Sequence, residues 1–396
     1  MIKILTKKNI WFVVLNSIVA LVLFFLIQKV YFLPGDDSKV FFLGPVIKNY
    51  LSKTSSAPKA DDILLINTHY DNEVITKYDS VGHVYGNQVV VDRSKLLTFF
   101  KKLKATNSHK YVICDIMFED STAYDSELAN VLKSTERLLI PRTDSLGAIA
   151  APFRAVNSGL VEVYAVANLF YKYKLYDRQN HLKSMPLKLY EDIHKLHYED
   201  YRLFGKLGDK FILNDFVPEH YINSYNVFET KAYKVNNLGD VSKANLIFNN
   251  FVEDRIIVIG NFNVDTRGTI YGDIPSSLTL LNTYLGMEKG KNVISFGLIL
   301  VLWLICLGYS FAVIIPKATF KNVLLRIPFV SGILMGVSYA FVMIVLSLLI
   351  YFVFNVNLSL IYLAAFFYLE NLIFHRKIHW KRFKSNLQPE DTNQPL

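Results

Sequence analysis

The sequence predicts an α/β domain, with a mostly parallel sheet and flanking helices, joined to four transmembrane α-helices. Two observations predict this fold class. Long apolar runs open and close the chain of 396 residues, and a polar segment of globular composition separates them. Within that segment, continuous apolar runs alternate with amphipathic ones, which is typical of a strand–helix–strand order.

Four stretches are apolar enough to cross a bilayer, which takes about 20 residues. They are residues 10–32, 294–315, 327–354 and 358–374. The last two belong to one apolar region that Asn355-Val-Asn357 interrupts. No small-x-small cleavage motif follows the first run, so we expect it to be an uncleaved anchor. The other segments are then a cytoplasmic N-terminus (1–9), an outer domain (33–293) and a cytoplasmic tail (375–396).

Basic residues predict the orientation of these spans. Three segments are rich in them: the N-terminus, the loop between the second and third spans, and the tail. The residues are Lys3, Lys7, Lys8, Lys317, Lys321, Arg326, Arg376, Lys377, Lys381, Arg382 and Lys384. The positive-inside rule places all three segments in the cytoplasm and the outer domain in the periplasm. We therefore expect a multi-pass inner-membrane protein with both termini cytoplasmic.

The charge balance excludes nucleic acid as a partner. The chain has a net charge of +9, but most of the excess lies in the three basic segments. The outer domain is nearly balanced and lacks the basic patch that nucleic-acid binding requires. The basic ends can instead meet anionic lipid headgroups of the bilayer.

The elements of the outer domain follow from short sequence windows. Apolar runs predict strands at 63–67, 111–118, 138–141 and 255–260, and helical spacing predicts helices at 94–105, 125–133 and 276–285. Strands that alternate with helices pair in parallel through right-handed crossovers. Residues 145–235 allow only a strand near 161–170 and a helix near 187–194. Cys114 and Cys306 fall in the domain and in a span, so no disulfide is expected.

Five carboxylates follow predicted strand ends in this domain. They are Asp71, Asp115, Glu119, Asp125 and Asp265. The carboxyl ends of strands line the ligand crevice of open α/β sheets. These side chains could bind a cation or a polyamine-like ligand, or they could hold an arginine such as Arg93. The alternative is structural: Asp125 would cap a helix and Asp115 would bond loop amides.

Sequence motifs of enzymes are missing. The chain has no G-x-S-x-G, H-E-x-x-H or Walker motif and no paired cysteine ligands. We therefore expect no catalytic residues, no metal and no cofactor. Glu370 lies in the last predicted span, where a carboxylate is a functional candidate by default. Its closeness to the cytoplasmic end equally favours snorkelling or pairing between helices.

Several short motifs resemble the CHASE2 family of extracytoplasmic sensor domains. They include the strand at 63–67, Arg93 at the start of the first helix, and the strand end Cys114-Asp-Ile-Met-Phe-Glu119. Further motifs are Asp125-Ser-Glu-Leu-Ala129, Ile256-Ile-Val-Ile-Gly260, and Asp265, Thr269 and Pro275 with Leu281-Asn282. The resemblance covers about residues 36–293. In the family, one span precedes such a domain and three spans typically follow it.

The resemblance implies a periplasmic sensory domain that binds a ligand of unknown identity. Two departures affect its ligand site: Asn67-Thr-His-Tyr-Asp71 replaces an Asp-rich segment, and Val89-Val-Val-Asp92 replaces a Pro-Trp pair. The tail is too short for a kinase or cyclase domain. We therefore expect signalling through a separate cytoplasmic or membrane partner. The chain could also assemble with copies of itself into a homo-oligomer. The alternatives are a membrane-anchored periplasmic hydrolase and a structural subunit of an envelope complex.

Overall fold

The computed structural model divides the chain into two compact units, residues 1–33 with 294–396 and residues 34–293. It describes residues 7–28, 44, 46–48, 57–79, 81–143, 150–161, 163–166, 169–244, 248–269, 272–314, 334–358, 360, 362–370 and 373. The basic loop 317–326 and the tail 375–396, on which the predicted orientation depends, lie outside the described residues.

The helices of both units are as follows. They are α1 (Lys7–Ile27), α2 (Arg93–Thr106), α3 (Asp125–Ser134), α4 (Met185–His194), α5 (Leu238–Lys243), α6 (Phe248–Val252), α7 (Ser276–Glu288), α8 (Phe296–Ile314) and α9 (Leu334–Phe354). Single helical turns lie at Ala60–Asp62, Ala151–Ala155 and Tyr225–Glu229. The predicted helices at 94–105, 125–133, 187–194 and 276–285 are confirmed to within a few residues.

The strands are more numerous than the sequence predicts, and the one predicted at 111–118 ends at Cys114. They are β1 (Ile63–Asn67), β2 (Asn72–Tyr78), β3 (Val84–Val91), β4 (Tyr111–Cys114), β5 (Leu138–Arg142), β6 (Ser158–Leu160), β7 (Val163–Val166), β8 (Leu169–Lys174), β9 (Tyr176–Asp177), β10 (Leu182–Lys183), β11 (Tyr198–Asp200), β12 (Gly205–Leu207), β13 (Lys210–Ile212), β14 (Asp215–Phe216), β15 (Val235–Asn237), β16 (Ile256–Gly260), β17 (Thr266–Thr269), β18 (Gly272–Pro275) and β19 (Val293–Ile294).

Two helices of the first unit are long and apolar enough to cross a membrane, Asn9–Ile27 and Phe296–Ile314. Within the described residues they match two of the four predicted spans. Helix α9 covers much of the third, and its apolar part, Phe341–Phe354, is shorter. Residues 362–370 of the fourth are helical. The third and fourth crossings stay predictions.

Polar side chains join three helical segments within this apolar unit. The Asn16 Nδ2 donates to Ser310 Oγ (3.1 Å) and to Glu370 Oε2 (3.0 Å). Trp303 Nε1 donates to Ser17 Oγ at 3.1 Å. Hydrogen bonds between helices are a recognised source of packing specificity where apolar burial contributes little. Glu370 therefore takes part in helix pairing, one of the two structural roles considered for it.

A six-stranded parallel sheet forms the core of residues 34–293, in the order β15-β1-β16-β4-β5-β6. Its central strands are buried on both faces, as their continuous apolar sequences predict. Side chains alternate between two cores. Leu64 and Ile66 pack with α2, α3, α5 and α6, whereas Ile63 and Leu65 pack with α4 and α7. The α/β class and the parallel sheet are confirmed.

The remaining sheets of this unit are largely antiparallel. They are the β2–β3 hairpin, the β9–β10 pair, the β11-β12-β13-β19 sheet, and a sheet of β7, β8, β14, β17 and β18. Most of these strands have two to four residues, too few for an alternating pattern to stand out. Both cysteines are free and buried, in agreement with the expectation of no disulfide.

Candidate ligand-binding crevice

The middle of the parallel sheet changes direction at its carboxyl edge. After β1 and β4 the chain continues to α2 and α3, which cover one face, whereas after β16 it leads to α7 on the other face. Because β16 lies between β1 and β4, the loops that leave these strands separate towards opposite faces. Such a switch point is where open α/β sheets form a ligand crevice.

Asp115 lies at this switch point, directly after β4. Its backbone N–H donates to Ile259 O at 2.8 Å, which ties it to the end of β16. The residue is partly buried, but its Oδ2 is shielded from solvent and has no hydrogen-bond partner among the described residues. Burial, with the nearby negative charge of Asp265, raises the pKa of Asp115 to about 7, and Arg267 opposes the rise.

A second shielded polar atom lies beside Asp115. Ser277 is 2% exposed, and no described residue accepts from or donates to its Oγ. The two side chains meet at Gly260, the last residue of β16. A Cβ built on Gly260 would lie 2.9 Å from Ser277 Oγ and 3.7 Å from Asp115 Cβ. A glycine is therefore needed for the close approach of Ser277, and both polar side chains lie next to the end of β16.

Asp265 forms the outer part of the crevice with two residues that sequence reasoning missed. Ser276 Oγ donates to Asp265 Oδ1 at 2.8 Å, and Arg267 Nε donates to Ser276 Oγ at 3.0 Å. The Ser276 N–H donates to Asp265 O at 2.9 Å. Asp265 is exposed, whereas Ser276 is 4% exposed. One hydroxyl thus connects an accessible carboxylate with a guanidinium.

Asn67 shapes the wall of the crevice on the β1 side. Its Oδ1 accepts the backbone N–H groups of His69 (3.1 Å) and Phe262 (3.2 Å), and its Nδ2 donates to Asn263 Oδ1 at 2.7 Å. An aspartate could not supply the last of these bonds, because an ionised carboxylate only accepts. The amide at position 67 therefore has a structural role in this chain.

Arg93 and Asp125 form a separate pair, near Cys114 at the end of β4. They are 1% and 2% exposed, and Arg93 Nε lies 3.6 Å from Asp125 Oδ1. The guanidinium carbon stacks 4.5 Å from the centre of the Phe118 ring. Burial lowers the pKa of Arg93, and Asp125 opposes this. Asp125 accepts from the N–H and Oγ1 of Thr122, so it fixes the preceding turn and does not cap the helix.

Asp71 and Glu119 occupy two further places. Asp71 is 5% exposed, and its carboxylate accepts from Lys95 Nζ (2.8 Å) and from the Gly239 N–H (3.0 Å). It therefore ties the loop after β1 to α2 and α5. Glu119 is exposed. Of the six predicted site residues, Asp115 and Asp265 are brought together, Arg93 and Asp125 form a separate pair, and the other two stand apart.

Local sequence signals could have found part of what was missed. Ser276 and Ser277 precede an apolar helical segment, and a serine pair in that position indicates a helix start. The side chains of Arg267 and Ser276 meet because β17 and β18 form an antiparallel hairpin, with Thr266 opposite Pro275. Such pairing across a short turn has no strong signature in this sequence. The structural role considered for Asp115 from sequence was to bond loop amides. Its Oδ2 accepts no such bond within the described residues, so this role is wrong for that atom.

No family model, curated protein or solved structure matches this chain. The CHASE2 resemblance therefore stays a prediction. Within the described parts of the chain, no group of three or more His, Cys, Asp or Glu side chains could hold a metal ion. The chemistry available at the crevice is hydrogen bonding and charge pairing by Asp115, Asp265, Arg267, Ser276 and Ser277.

Proposed function

We propose that this protein is a multi-pass inner-membrane sensor whose residues 33–293 form a CHASE2-like, ligand-binding domain in the periplasm. A shielded polar atom without a partner is costly in a folded domain, and a ligand that supplies the partner offsets that cost. Asp115 Oδ2 is such an atom, at a switch point where α/β domains bind ligands. That single observation carries the ligand-binding part of the proposal.

The signalling part of the proposal concerns the output. In this proposal the sensor signals to a separate cytoplasmic or membrane protein. The two apolar helices Asn9–Ile27 and Phe296–Ile314 lie on either side of the domain in sequence. Hydrogen bonds from Asn16 link the first of them to Ser310 and to Glu370 in the last helical segment. This network offers a physical link between the helices and the segment that leads into the tail.

The orientation can be tested with reporter fusions in the intact chain. We expect reporters fused after Lys321 and after Lys384 to be active in the cytoplasm, because both follow basic segments. Reporters inserted at exposed turns of the domain, such as the one at Gly82 between β2 and β3, should be active only outside. A reporter after Lys321 that is active outside would contradict the four-span arrangement.

Ligand binding can be tested by thermal unfolding of the purified intact protein against a panel of small polar metabolites. A ligand at 100 times its Kd stabilises a protein by about 2.7 kcal/mol, so a binder should raise the Tm by several degrees. We expect Asp115→Asn to reduce this rise, and Asp273→Asn, which alters an exposed carboxylate, to leave it unchanged. Equal responses of both variants would contradict the crevice as the binding site.

A membrane-anchored periplasmic hydrolase is the second candidate. The observation in its favour is that the pKa of Asp115, about 7, is close to the value that suits a general base at neutral pH. Turnover of any substrate in the panel that Asp115→Asn abolishes would favour the hydrolase over the sensor. A partner that copurifies in fixed ratio, without any ligand response, would favour a structural subunit of an envelope complex.

A further inference from the structure

Two polar side chains beside Gly260 each carry an atom that needs a partner. Asp115 Oδ2 and Ser277 Oγ are both shielded and unpartnered among the described residues. Both side chains lie next to Gly260, where a Cβ would come within 2.9 Å of Ser277 Oγ and 3.7 Å of Asp115 Cβ. A protonated amine can donate to a carboxylate and to a hydroxyl at the same time, since it carries up to three N–H donors. The negative charges of Asp115 and Asp265 favour such a cation here.

The same crevice also has a positive side. Helix α7 begins at Ser276, and no side chain caps its N-terminus. The Ser276 N–H is bound to Asp265 O, whereas the next backbone amides of a helix have no acceptor within the helix. Helix N-termini attract anions. Arg267, whose Nε is bound to Ser276 Oγ, adds a guanidinium suited to a carboxylate.

A simple cation would meet the positive helix end, and a simple anion would meet two carboxylates. A molecule that carries both charges avoids either conflict. We propose that the crevice binds a small zwitterion of the amino-acid type. Asp115 and Ser277 would bind its ammonium group, and Arg267 and the first amides of α7 would bind its carboxylate. This inference rests on the crevice being the ligand site of the proposed function.

The test compares alanine with its two halves, ethylamine and propionate, on the intact protein at pH 8. Binding is measured from the rise in Tm over a concentration series up to 100 mM. We expect alanine to bind at least tenfold more tightly than either half, because it alone satisfies both charged sides. Charge-assisted hydrogen bonds are roughly twice as strong as neutral ones, so each half should lose a large part of the affinity.

Two variants separate the charged sides. Asp115→Asn keeps the shape of the side chain and should weaken alanine about tenfold, while propionate binds as well as before or better because one repelling carboxylate is gone. Arg267→Gln should weaken alanine by a similar factor while leaving ethylamine unchanged. Asp273→Asn, at an exposed position, is the matched control and should change none of the three. Arg267→Lys, which keeps the positive charge, should recover part of the affinity for alanine.

The outcomes distinguish this inference from the proposed function. If ethylamine binds as tightly as alanine and Arg267→Gln has no effect, the ligand is a simple amine and the zwitterion is excluded. If alanine does not bind but a metabolite that is not a zwitterion does, and Asp115→Asn weakens it, the ligand class is wrong and the site stands. If no compound raises the Tm of the wild type, both proposals fail.

Discussion

Asp115→Asn is expected to stabilise the domain of residues 34–293 by up to about 4 kcal/mol at pH 8 and by almost nothing at pH 4. In the folded chain, burial and Asp265 raise the pKa of Asp115 from 3.8 to about 7. Ionisation at pH 8 therefore leaves a carboxylate in a place that disfavours its charge. Asparagine has a similar shape and carries no charge, so it removes this cost.

The sign of the effect follows from proton binding. Between about pH 4 and pH 7 the folded chain holds a proton on Asp115 that the unfolded chain has released. The free energy of unfolding of the wild type therefore falls as the pH rises through this window, by about 1.4 kcal/mol for each pH unit. Below and above this window, titration of Asp115 causes no further change in the free energy of unfolding. Partial solvent access of Asp115 makes 4 kcal/mol an upper value.

The measurement is urea unfolding of the intact protein in detergent, followed by near-ultraviolet circular dichroism of its tyrosines. Wild type and Asp115→Asn are compared at pH 4, 6 and 8, with Asp273→Asn as the control for loss of an exposed carboxylate. The difference between wild type and Asp115→Asn should grow with pH. A difference that is the same at all three values would mean that Asp115 titrates normally and is not desolvated.

This expected instability has a functional meaning. An ionised Asp115 costs stability in the empty crevice, and a donor group of a ligand would remove that cost. The ammonium group proposed above needs the ionised carboxylate, so its binding should strengthen as the pH rises through 7. Residues that weaken the fold when their site is empty are characteristic of binding sites.

The sequence predicts the parallel sheet well because its strands are buried on both faces. Segments such as Ile63–Asn67 and Ile256–Gly260 are continuous apolar runs, and all of their residues are buried. The intervening helices, such as Arg93–Thr106, have clear apolar periodicity. Burial of this kind leaves a local signal in the sequence, which is why these elements could be placed to within a few residues.

The antiparallel parts could not be placed in the same way. The β2–β3 hairpin has exposed valines and tyrosines on one face, including Val74, Tyr78 and Val89. Its sequence therefore does not show apolar residues facing a core. The sheets of residues 163–216 are built from strands of two to six residues, whose pairing depends on contacts with distant segments. Tertiary context decides such strands more than local propensity does.

The candidate site was predicted only in part for a related reason. Strand ends locate carboxylates at one edge of the sheet, so Asp115 and Asp265 were expected near each other. Which carboxylate pairs with which cation is decided by side-chain geometry. Asp71 meets Lys95, whereas Asp125 meets Arg93. From sequence, Arg93 was named as a cation that these carboxylates could hold, without a choice among them, and Lys95 was not considered.

The Arg93–Asp125 pair is expected to be structural, and its disruption should have the second large effect. Removing one partner of a buried ion pair costs about 3–5 kcal/mol, because the other charge is left without compensation. Asp125→Ala should therefore destabilise residues 34–293 by about that amount. Arg93 is 1% exposed, and its Nε and Nη1 have no hydrogen-bond partner among the described residues. Loss of Asp125 removes the carboxylate that most favours the buried charge of Arg93.

The double variant Arg93→Met/Asp125→Ala tests this explanation. Methionine fills much of the same volume beside Phe118 without a charge, so the double variant should recover most of the lost stability. Both free energies come from the same urea unfolding at pH 7, with Glu127→Ala, an exposed carboxylate of the same helix, as the control. If Asp125→Ala unfolds like the wild type but no longer responds to a ligand, Asp125 belongs to the binding site. The double variant has no charge at position 93. If it is as unstable as Asp125→Ala, the lost stability comes from the missing hydrogen bonds to Thr122 and not from an unpaired Arg93.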